Sequence, residues 1–189
     1  MEQRTWTGAI GEVWRSATRH KVISTAIALC VAGSLAGIAL AGQRSSAAPT
    51  RAAAPTFSLP ALGQSGQKIT LADYSGKPLI VNFFASWCEV CKQETPLLAG
   101  FYRSERGKMP IVGLDENDMA GNAISFTRAE GVGYPVGWDP GGSAATAYGV
   151  AALPQTFFLN ARHQIVHRVF GAVTLADLHK GIELATAAG

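Results

Sequence analysis

The stretch FFASWCEVCKQE, residues 83 to 94, is the most informative part of this 189-residue chain. Two cysteines, Cys88 and Cys91, stand two residues apart directly after a tryptophan. The stretch overlaps the apolar run PLIVNFFA, residues 78 to 85, which is typical of a buried strand. A helix is predicted over residues 88 to 106. The cysteine pair is therefore expected at the point where a buried strand passes into a helix.

Apolar runs and helical patterns alternate along the rest of the chain. The run MPIVGLD, residues 109 to 115, predicts a second buried strand of the kind found in parallel sheets. Two helices, an antiparallel hairpin and a last helix are predicted after it, over residues 119–132 and 141–150, residues 155–160 with 164–170, and residues 174–187. This order predicts an α/β fold with a mixed central sheet and helices on both of its faces.

Near the N-terminus, residues 22 to 41 form an uncharged apolar segment of about 20 residues, long enough to cross a bilayer as a helix. Basic residues precede this segment more often than they follow it: Arg4, Arg15, Arg19 and Lys21 lie before it, and Arg44 and Arg51 lie after it. The positive-inside rule then predicts a cytoplasmic N-terminus and an extracytoplasmic remainder. Small residues at 39–41 and 46–48 would suit a signal peptidase, but the apolar run is longer than that of an ordinary signal peptide, which favours a retained anchor.

These features divide the chain into four parts. We predict a cytoplasmic segment over residues 1–21, a single-pass transmembrane signal-anchor over 22–42, a linker over 43–56 and a folded domain over 57–189. The domain carries ten Lys or Arg and eleven Asp or Glu, so the net charge of +3 belongs to the N-terminal flanks and the linker. A near-neutral domain does not indicate nucleic-acid binding.

The position of Cys88 favours redox chemistry. Backbone N–H groups and the helix dipole stabilise negative charge at the start of a helix, and such positions lower a cysteine pKa from about 8.5 to between about 3.5 and 7.5. The thiolate is the nucleophile of disulfide exchange. Cys91, one turn further into the helix, is placed to attack the resulting mixed disulfide.

Two other interpretations of the cysteine pair are weaker. Structural zinc needs two further Cys or His ligands, and Cys30 lies in the predicted membrane segment, while His163 and His167 flank a predicted strand and point to no common site. A purely structural disulfide would close a very small loop and would constrain the unfolded chain little. We therefore predict neither a metal site nor a separate cofactor, only a redox-active Cys88–Cys91 disulfide.

Two motifs carry a family resemblance. NFFASWCEVCKQETPLL, residues 82 to 98, and YGVAALPQTFFLN, residues 148 to 160, resemble the TlpA-like and ResA-like branch of the redoxin superfamily. The resemblance also covers the lead-in from residue 57. It implies a thioredoxin fold and a membrane-anchored thiol-disulfide oxidoreductase that faces outward.

The resemblance implies roles for individual residues. Trp87, with the two cysteines, matches the active-site motif, and Pro96 matches the proline that bends the active-site helix. Pro154 matches the proline whose preceding peptide bond is cis in this fold, so that the backbone of Leu153 is presented to a substrate peptide. Without the resemblance, Pro154 reads as an ordinary turn proline.

Glu94 is the acid expected beside the sulfurs. It lies three residues after Cys91 on the predicted helix, and in ResA-like proteins a glutamate at this position tunes the thiols and assists proton transfer. Burial should raise its pKa, whereas the alternative is a solvated surface glutamate. Asn82 stands where thioredoxin has a buried aspartate, and it cannot ionise. Val90 and Gln155 depart from the family pattern, and both are expected at the recognition surface.

The function implied is reduction of protein disulfides outside the cytoplasm, among them the C-x-x-C-H motif of apocytochrome c during cytochrome c biogenesis. Such a reductant needs electrons from inside the cell, so a transmembrane thiol relay of the CcdA or DsbD type is the expected partner. The main alternative is a DsbE-like oxidant that introduces disulfides into exported proteins. The sequence does not separate these two directions of electron flow.

Two alternatives come from other functional classes. A thiol peroxidase needs Thr or Ser three residues before its reactive cysteine, where this chain has Ala85. A Sco-like copper-binding module needs C-x-x-x-C and a distal histidine, and this chain has C-x-x-C. Ala85 thus disfavours the thiol peroxidase, and the C-x-x-C spacing disfavours the copper-binding module.

Overall fold

The computed structural model describes residues 51–105 and 108–187, so the predicted membrane segment over residues 22–42 lies outside the described part. Within the described residues, no helix is both long enough and apolar enough to cross a bilayer. The elements in chain order are β1 (Ser58–Pro60), β2 (Lys68–Thr70), a 3₁₀ turn (Leu71–Tyr74), β3 (Leu79–Phe84), α1 (Glu89–Ser104), β4 (Ile111–Glu116), α2 (Ala120–Ala129), β5 (Val136–Asp139), α3 (Ser143–Tyr148), β6 (Gln155–Leu159), β7 (Ile165–Phe170) and α4 (Leu175–Ala187).

Strand β3 lies at the centre of a five-stranded sheet with the order β5-β4-β3-β6-β7. All six residues of β3 are buried, as its continuous apolar run predicts. β3 is parallel to β4, and β4 is parallel to β5, whereas β6 is antiparallel to both β3 and β7. The predicted mixed sheet and the predicted hairpin are thus confirmed. The carboxyl end of β3, where the cysteines follow, lies between β4 and β6.

Helices cover both faces of the sheet, as the order of elements predicts. On one face, α3 contributes Ala145 and Tyr148 to a core that includes Phe83 and Phe157. On the other face, α1, α2 and α4 contribute to a second core that contains both cysteines. The site is therefore built on the face where three helices meet the sheet.

The sequence patterns do not predict strand β5, because its four residues, VGWD, include a glycine and have no apolar alternation. Gly137 pairs with Leu114 of β4. A Cβ at Gly137 would lie only 3.2 Å from side-chain atoms of Leu59 and Leu114, so this glycine permits β1 to pack closely against β5. Tertiary pairing, and not local propensity, makes this segment a strand.

The predicted linker and the folded domain meet at residues 52 to 54. The Ala54 N–H donates a hydrogen bond to the carbonyl of His163 at 2.8 Å, and the Ile165 N–H donates one to the carbonyl of Ala52 at 2.9 Å. Ala54 is also buried in the first core. The backbone pairing of the domain therefore begins at residue 52, before the predicted domain start at residue 57.

Gly181 is the point where α4 packs most closely on the sheet. A Cβ built at this position would overlap the ring of Phe158, which is fully buried in β6. We expect Gly181→Ala to destabilise the fold by about 2 kcal/mol, because overpacking outweighs the helix propensity gained. Denaturant unfolding would measure this free energy.

The matched control is Gly100→Ala in the middle of α1, where the nearest atom to an added Cβ is 4.0 Å away, at the end of the flexible Arg103 side chain. This variant should gain about 0.5–1 kcal/mol from helix propensity. Equal stability of the Gly181 variant and the unmodified chain would contradict the packing of α4 described above.

Candidate functional site

Cys88 and Cys91 form a disulfide at the junction of β3 and α1. Cys88 is the N-cap residue of α1, and its Sγ accepts a hydrogen bond from the N–H of Cys91 at 3.1 Å. Cys88 is 6% exposed and Cys91 is fully buried. A sulfur at the N-cap faces backbone N–H donors that favour a thiolate, and of the two sulfurs it is the one a partner reaches first.

The Leu153–Pro154 peptide bond is cis, as the resemblance implies, and the alternative of an ordinary turn proline is wrong. Phe83 in β3 pairs with Gln155 in β6, so Pro154 lies beside the end of β3 from which the turn to Cys88 departs. Leu153 is half-buried and packs against both cores. The sheet thus brings together two motifs that lie more than 60 residues apart in the sequence.

Glu94 is buried, with only 2% of its surface exposed, so the alternative of a solvated surface glutamate is wrong. Its Oε1 accepts a hydrogen bond from Nδ2 of Asn82 at 2.8 Å, and its Oε2 accepts one from the N–H of Val173 at 2.8 Å. Burial raises the pKa of Glu94 to about 7, although the hydrogen bonds from Val173 and Asn82 act in the opposite direction. The carboxyl can therefore take up or release a proton near neutral pH.

Two partners of Glu94 are site residues that the sequence patterns do not predict. Asn82 is predicted only to be unable to ionise, but it donates a hydrogen bond to the Glu94 carboxyl and another to Oγ1 of Thr156 at 3.0 Å. A polar residue inside the apolar run LIVNFF was the signal that could have found it. Val173 acts through its backbone N–H, for which no sequence signal exists.

Large apolar side chains are exposed at five described positions, and we call this set the apolar collar: Trp87, Val90, Met119, Phe170 and Leu175. Two of them flank Cys88, and the other three lie in segments that are linked to site residues by hydrogen bonds or strand pairing. Trp87 and Val90 flank Cys88, and the indole N–H of Trp87 donates to the carbonyl of Asn117, two residues before Met119. Phe170 pairs with Gln155, beside Pro154, and Leu175 follows the segment that binds Glu94. Water-exposed apolar groups around a site are typical of a surface that binds other proteins.

Gln155 is buried, so the prediction that it lies at the recognition surface is wrong, whereas Val90 is exposed. The Oε1 atom of Gln155 accepts hydrogen bonds from Nη2 and from Nε of Arg168, the latter at 3.1 Å. Arg168 also donates to the carbonyl of Gly149 at 2.7 Å and lies over the rings of Phe157 and Phe170. Arg168 therefore ties together both ends of the loop that carries Leu153 and Pro154.

We expect Arg168→Lys to loosen this loop. A lysine keeps the charge but cannot bind Gly149 and Gln155 together with a planar fork, so the fold should lose about 1–2 kcal/mol. If this loop presents its backbone to a substrate peptide, as the resemblance implies, the KM for a protein disulfide should rise more than kcat falls. Thermal unfolding and steady-state kinetics would measure both effects.

Arg162→Lys, at an exposed position of the β6–β7 turn, is the matched control and should change stability by less than about 0.5 kcal/mol. An Arg168 variant that melts and binds like this control would contradict the role of Arg168.

Metal-binding side chains do not cluster in residues 51–105 and 108–187, where no group of three or more His, Cys, Asp or Glu is arranged to hold an ion. Nε2 of His163 lies 3.0 Å from the carbonyl oxygen of Tyr74, whereas His167 packs against the ring of Phe158. The two histidines thus have separate surroundings.

Comparison with known proteins agrees with this geometry. The profile of the AhpC/TSA family matches residues 50–168. The chain is 33% identical over 132 residues to the thiol-disulfide oxidoreductase ResA of Bacillus subtilis (strain 168), covering 69% of this chain and 73% of that protein. It is 35% identical over 145 residues to the thiol:disulfide interchange protein CycY of Rhizobium leguminosarum bv. viciae, covering 76% of this chain and 72% of that protein.

A solved structure shares the fold. The chain superposes on a thiol:disulfide interchange protein of the thioredoxin family from Chlorobium tepidum TLS with a TM-score of 0.63 and 25% sequence identity. The superposition covers 71% of this chain and 96% of that structure. The described part of the chain thus shares its fold with a thiol:disulfide interchange protein of the thioredoxin family.

Proposed function

The chain belongs to the AhpC/TSA family and is a thiol-disulfide oxidoreductase with a thioredoxin fold, and from this premise we propose that it reduces disulfides of proteins outside the cytoplasm. The observation that carries the exchange chemistry is the placement of Cys88 at the N-cap of α1, with Cys91 buried behind it. This placement supports an attacking thiol and a resolving thiol in that order. The reducing direction rests on the resemblance to ResA-like proteins.

The reaction proceeds in two exchanges. The Cys88 thiolate attacks one sulfur of the substrate disulfide; that bond breaks, the other substrate sulfur leaves as a thiolate and takes up a proton, and a mixed disulfide forms. The Cys91 thiolate then attacks Sγ of Cys88, releases the second substrate thiol and closes the Cys88–Cys91 disulfide. Two electrons pass from the protein dithiol to the substrate, and Glu94 accepts the proton of Cys91 before its attack.

The substrate in this proposal is a protein segment. The apolar collar offers contacts to side chains on either side of a substrate cysteine, and the backbone of Leu153 offers strand-like pairing. Because the chain resembles ResA-like proteins, we place the C-x-x-C-H segment of apocytochrome c first among the substrates. Trp87, Leu153 and Pro154 are the proposed substrate-binding residues.

Residues 22–42 are proposed to hold the chain in the cell membrane as a single-pass anchor, with the N-terminus in the cytoplasm and the domain outside. The charge asymmetry around this segment and its length support the proposal. A reductant outside the membrane must itself be reduced, so we propose a transmembrane thiol relay of the CcdA or DsbD type as the electron donor.

An oxidant of exported proteins is the second candidate, and the hydrogen bond from the Cys91 N–H to Sγ of Cys88 favours it. Donors that stabilise the Cys88 thiolate stabilise the reduced protein, and this makes the disulfide a stronger oxidant. The buried Glu94 acts against this effect once it is ionised, since its negative charge disfavours a nearby thiolate.

The reduction potential of the Cys88–Cys91 couple tests the direction. The full-length chain in detergent, with Cys30→Ser so that only one couple is titrated, is equilibrated against dithiothreitol or glutathione buffers. A potential below about −250 mV supports the reductant. A potential near about −120 mV overturns it in favour of the oxidant.

A further inference from the structure

Asp115, at the end of β4, is a carboxyl that the redox mechanism does not use. It is fully buried, and no N–H or O–H donor among the described residues reaches either of its oxygens. A buried carboxylate without donors is very unfavourable, so the neutral acid is the expected form. A neutral carboxyl has an O–H of its own, which needs an acceptor.

The acceptor is the carboxyl of Asp118. Burial first, and then the charge of Asp118 and a hydrogen bond with it, raise the pKa of Asp115 to about 8, with a smaller contribution from the charge of Asp139. Such a hydrogen bond raises a pKa only if the protonated acid is the donor. At neutral pH the two side chains therefore form a carboxyl–carboxylate pair.

Asp118 connects this pair to the active-site turn. Its Oδ2 accepts a hydrogen bond from the N–H of Ser86 at 2.7 Å, and its Oδ1 accepts one from the N–H of Met119 at 2.7 Å. Ser86 stands two residues before Cys88, and the Cys88 N–H closes the same turn on the carbonyl of Ala85 at 3.2 Å. Asp118 therefore binds the backbone of the turn that carries the attacking sulfur.

The surroundings of Asp115 come from both neighbouring strands. Phe84 of β3 is its partner on one side and contributes no charge, and Trp138 of β5 is its partner on the other. The indole N–H of Trp138 donates to the carbonyl of Asp118 at 2.9 Å and so fixes the loop that carries it. The charged groups that act on Asp115 are Asp118 from this loop and Asp139 from β5.

We propose that Asp115 is a positioning residue for disulfide exchange: its protonated carboxyl donates to Asp118, and the pair holds the Ser86 amide and with it the turn that carries Cys88. This inference rests on the proposed role of Cys88 as the attacking thiol. When Asp115 loses its proton, its donor is lost and two negative charges meet beneath the turn. The Cys88 thiolate is then less stabilised. The reaction rate of Cys88 therefore rises less with pH than the rate of an unperturbed thiol.

The test compares Asp115→Asn, which keeps the size and an N–H donor but cannot ionise, with Asp115→Leu, which has no donor. The rate of Cys88 alkylation by iodoacetamide is measured from pH 6 to pH 10 in the reduced full-length chain in detergent. Below pH 7 the Asn variant should match the unmodified chain within twofold, and above pH 8.5 it should react at least threefold faster. The Leu variant should react about tenfold more slowly than the unmodified chain below pH 7, where the unmodified chain still has its donor, and this difference should disappear above pH 8.5. Glu116→Gln is the control and should leave the alkylation rate unchanged at every pH.

A second readout separates positioning from folding. In the oxidised chain, where neither cysteine titrates, the ¹⁵N–¹H resonance of Ser86 should shift with a midpoint near pH 8. In the oxidised Asn variant this resonance should not titrate. A Ser86 resonance that does not titrate in the unmodified chain, or Asn and Leu variants with unchanged alkylation profiles, would overturn the inference. If the unmodified chain reacts with iodoacetamide but reduces no protein disulfide, the proposed function fails and these two readouts still decide the role of Asp115.

Discussion

Replacement of Cys88 by serine is expected to reduce insulin-disulfide exchange at least about 10³-fold, to the rate of the uncatalysed reaction with the assay thiol. A serine hydroxyl at the N-cap of α1 can still accept the hydrogen bond that Cys88 Sγ accepts from the Cys91 N–H, so the helix should form normally. The hydroxyl does not ionise near neutral pH and cannot attack a disulfide. The loss therefore measures the chemistry of one sulfur and not the stability of the fold.

Cys91→Ser should fail in a different way. Cys88 still attacks, but no thiol resolves the mixed disulfide, so a covalent complex with the substrate accumulates and is visible on a non-reducing gel. Cys30→Ser is the control, and it should leave exchange unchanged. Two results would refute the assigned order of the two thiols. One is retained exchange in the Cys88 variant, and the other is a covalent substrate complex formed through Cys91 in that variant.

Glu94→Gln is expected to stabilise the oxidised protein at pH 8 by about 3 kcal/mol, the equivalent of raising one pKa from 4.5 to about 7. The folded state holds this proton up to about pH 7, whereas the unfolded chain releases it near pH 4.5. The free energy of unfolding of the unmodified protein therefore falls as the pH rises from about 4.5 to about 7. Above pH 7 this contribution to stability is lost completely. Glutamine pays no such penalty, so the difference between the two proteins should vanish near pH 4.

Glutamine also fits the hydrogen bonds of the site. Its Oε1 can accept from the Val173 N–H. Its amide can donate to Oδ1 of Asn82 after Asn82 reorients, because that atom has no hydrogen-bond partner within residues 51–105 and 108–187. Urea unfolding at pH 4, 6 and 8 measures the effect. A constant difference across this range would mean that Glu94 is not held protonated in the folded protein.

The same substitution should slow disulfide exchange by about 100-fold at pH 7, because the acceptor for the Cys91 proton is gone. Glu89→Gln, at an exposed position in the first turn of α1, is the matched control and should retain full activity. An active Glu94 variant would assign proton transfer to water and leave Glu94 a structural role only.

Local sequence patterns predicted the parts of the fold that depend on local physics. The buried apolar run of β3, the helix that begins at Cys88 and the β6–β7 hairpin each have a period or a boundary signal that neighbouring residues supply. Strand β5 has neither, because its glycine and its short length leave only the pairing with β4 to define it. The prediction that Gln155 lies at the surface is wrong for a related reason. Its amide can be buried only because Arg168, on the neighbouring strand β7, donates a hydrogen bond to it.

The location of the redox chemistry can be read from the sequence alone, because a cysteine that follows a buried strand and opens a helix meets the same backbone donors in any such fold. The groups that surround this cysteine depend on tertiary contacts. Glu94 meets a backbone amide 79 residues away, and Ser86 meets a carboxylate 32 residues away. Sheet pairing brings these groups together, and no local pattern records which polar group will face a buried acid. The protonation of the site, unlike its position, is therefore a property of the folded protein.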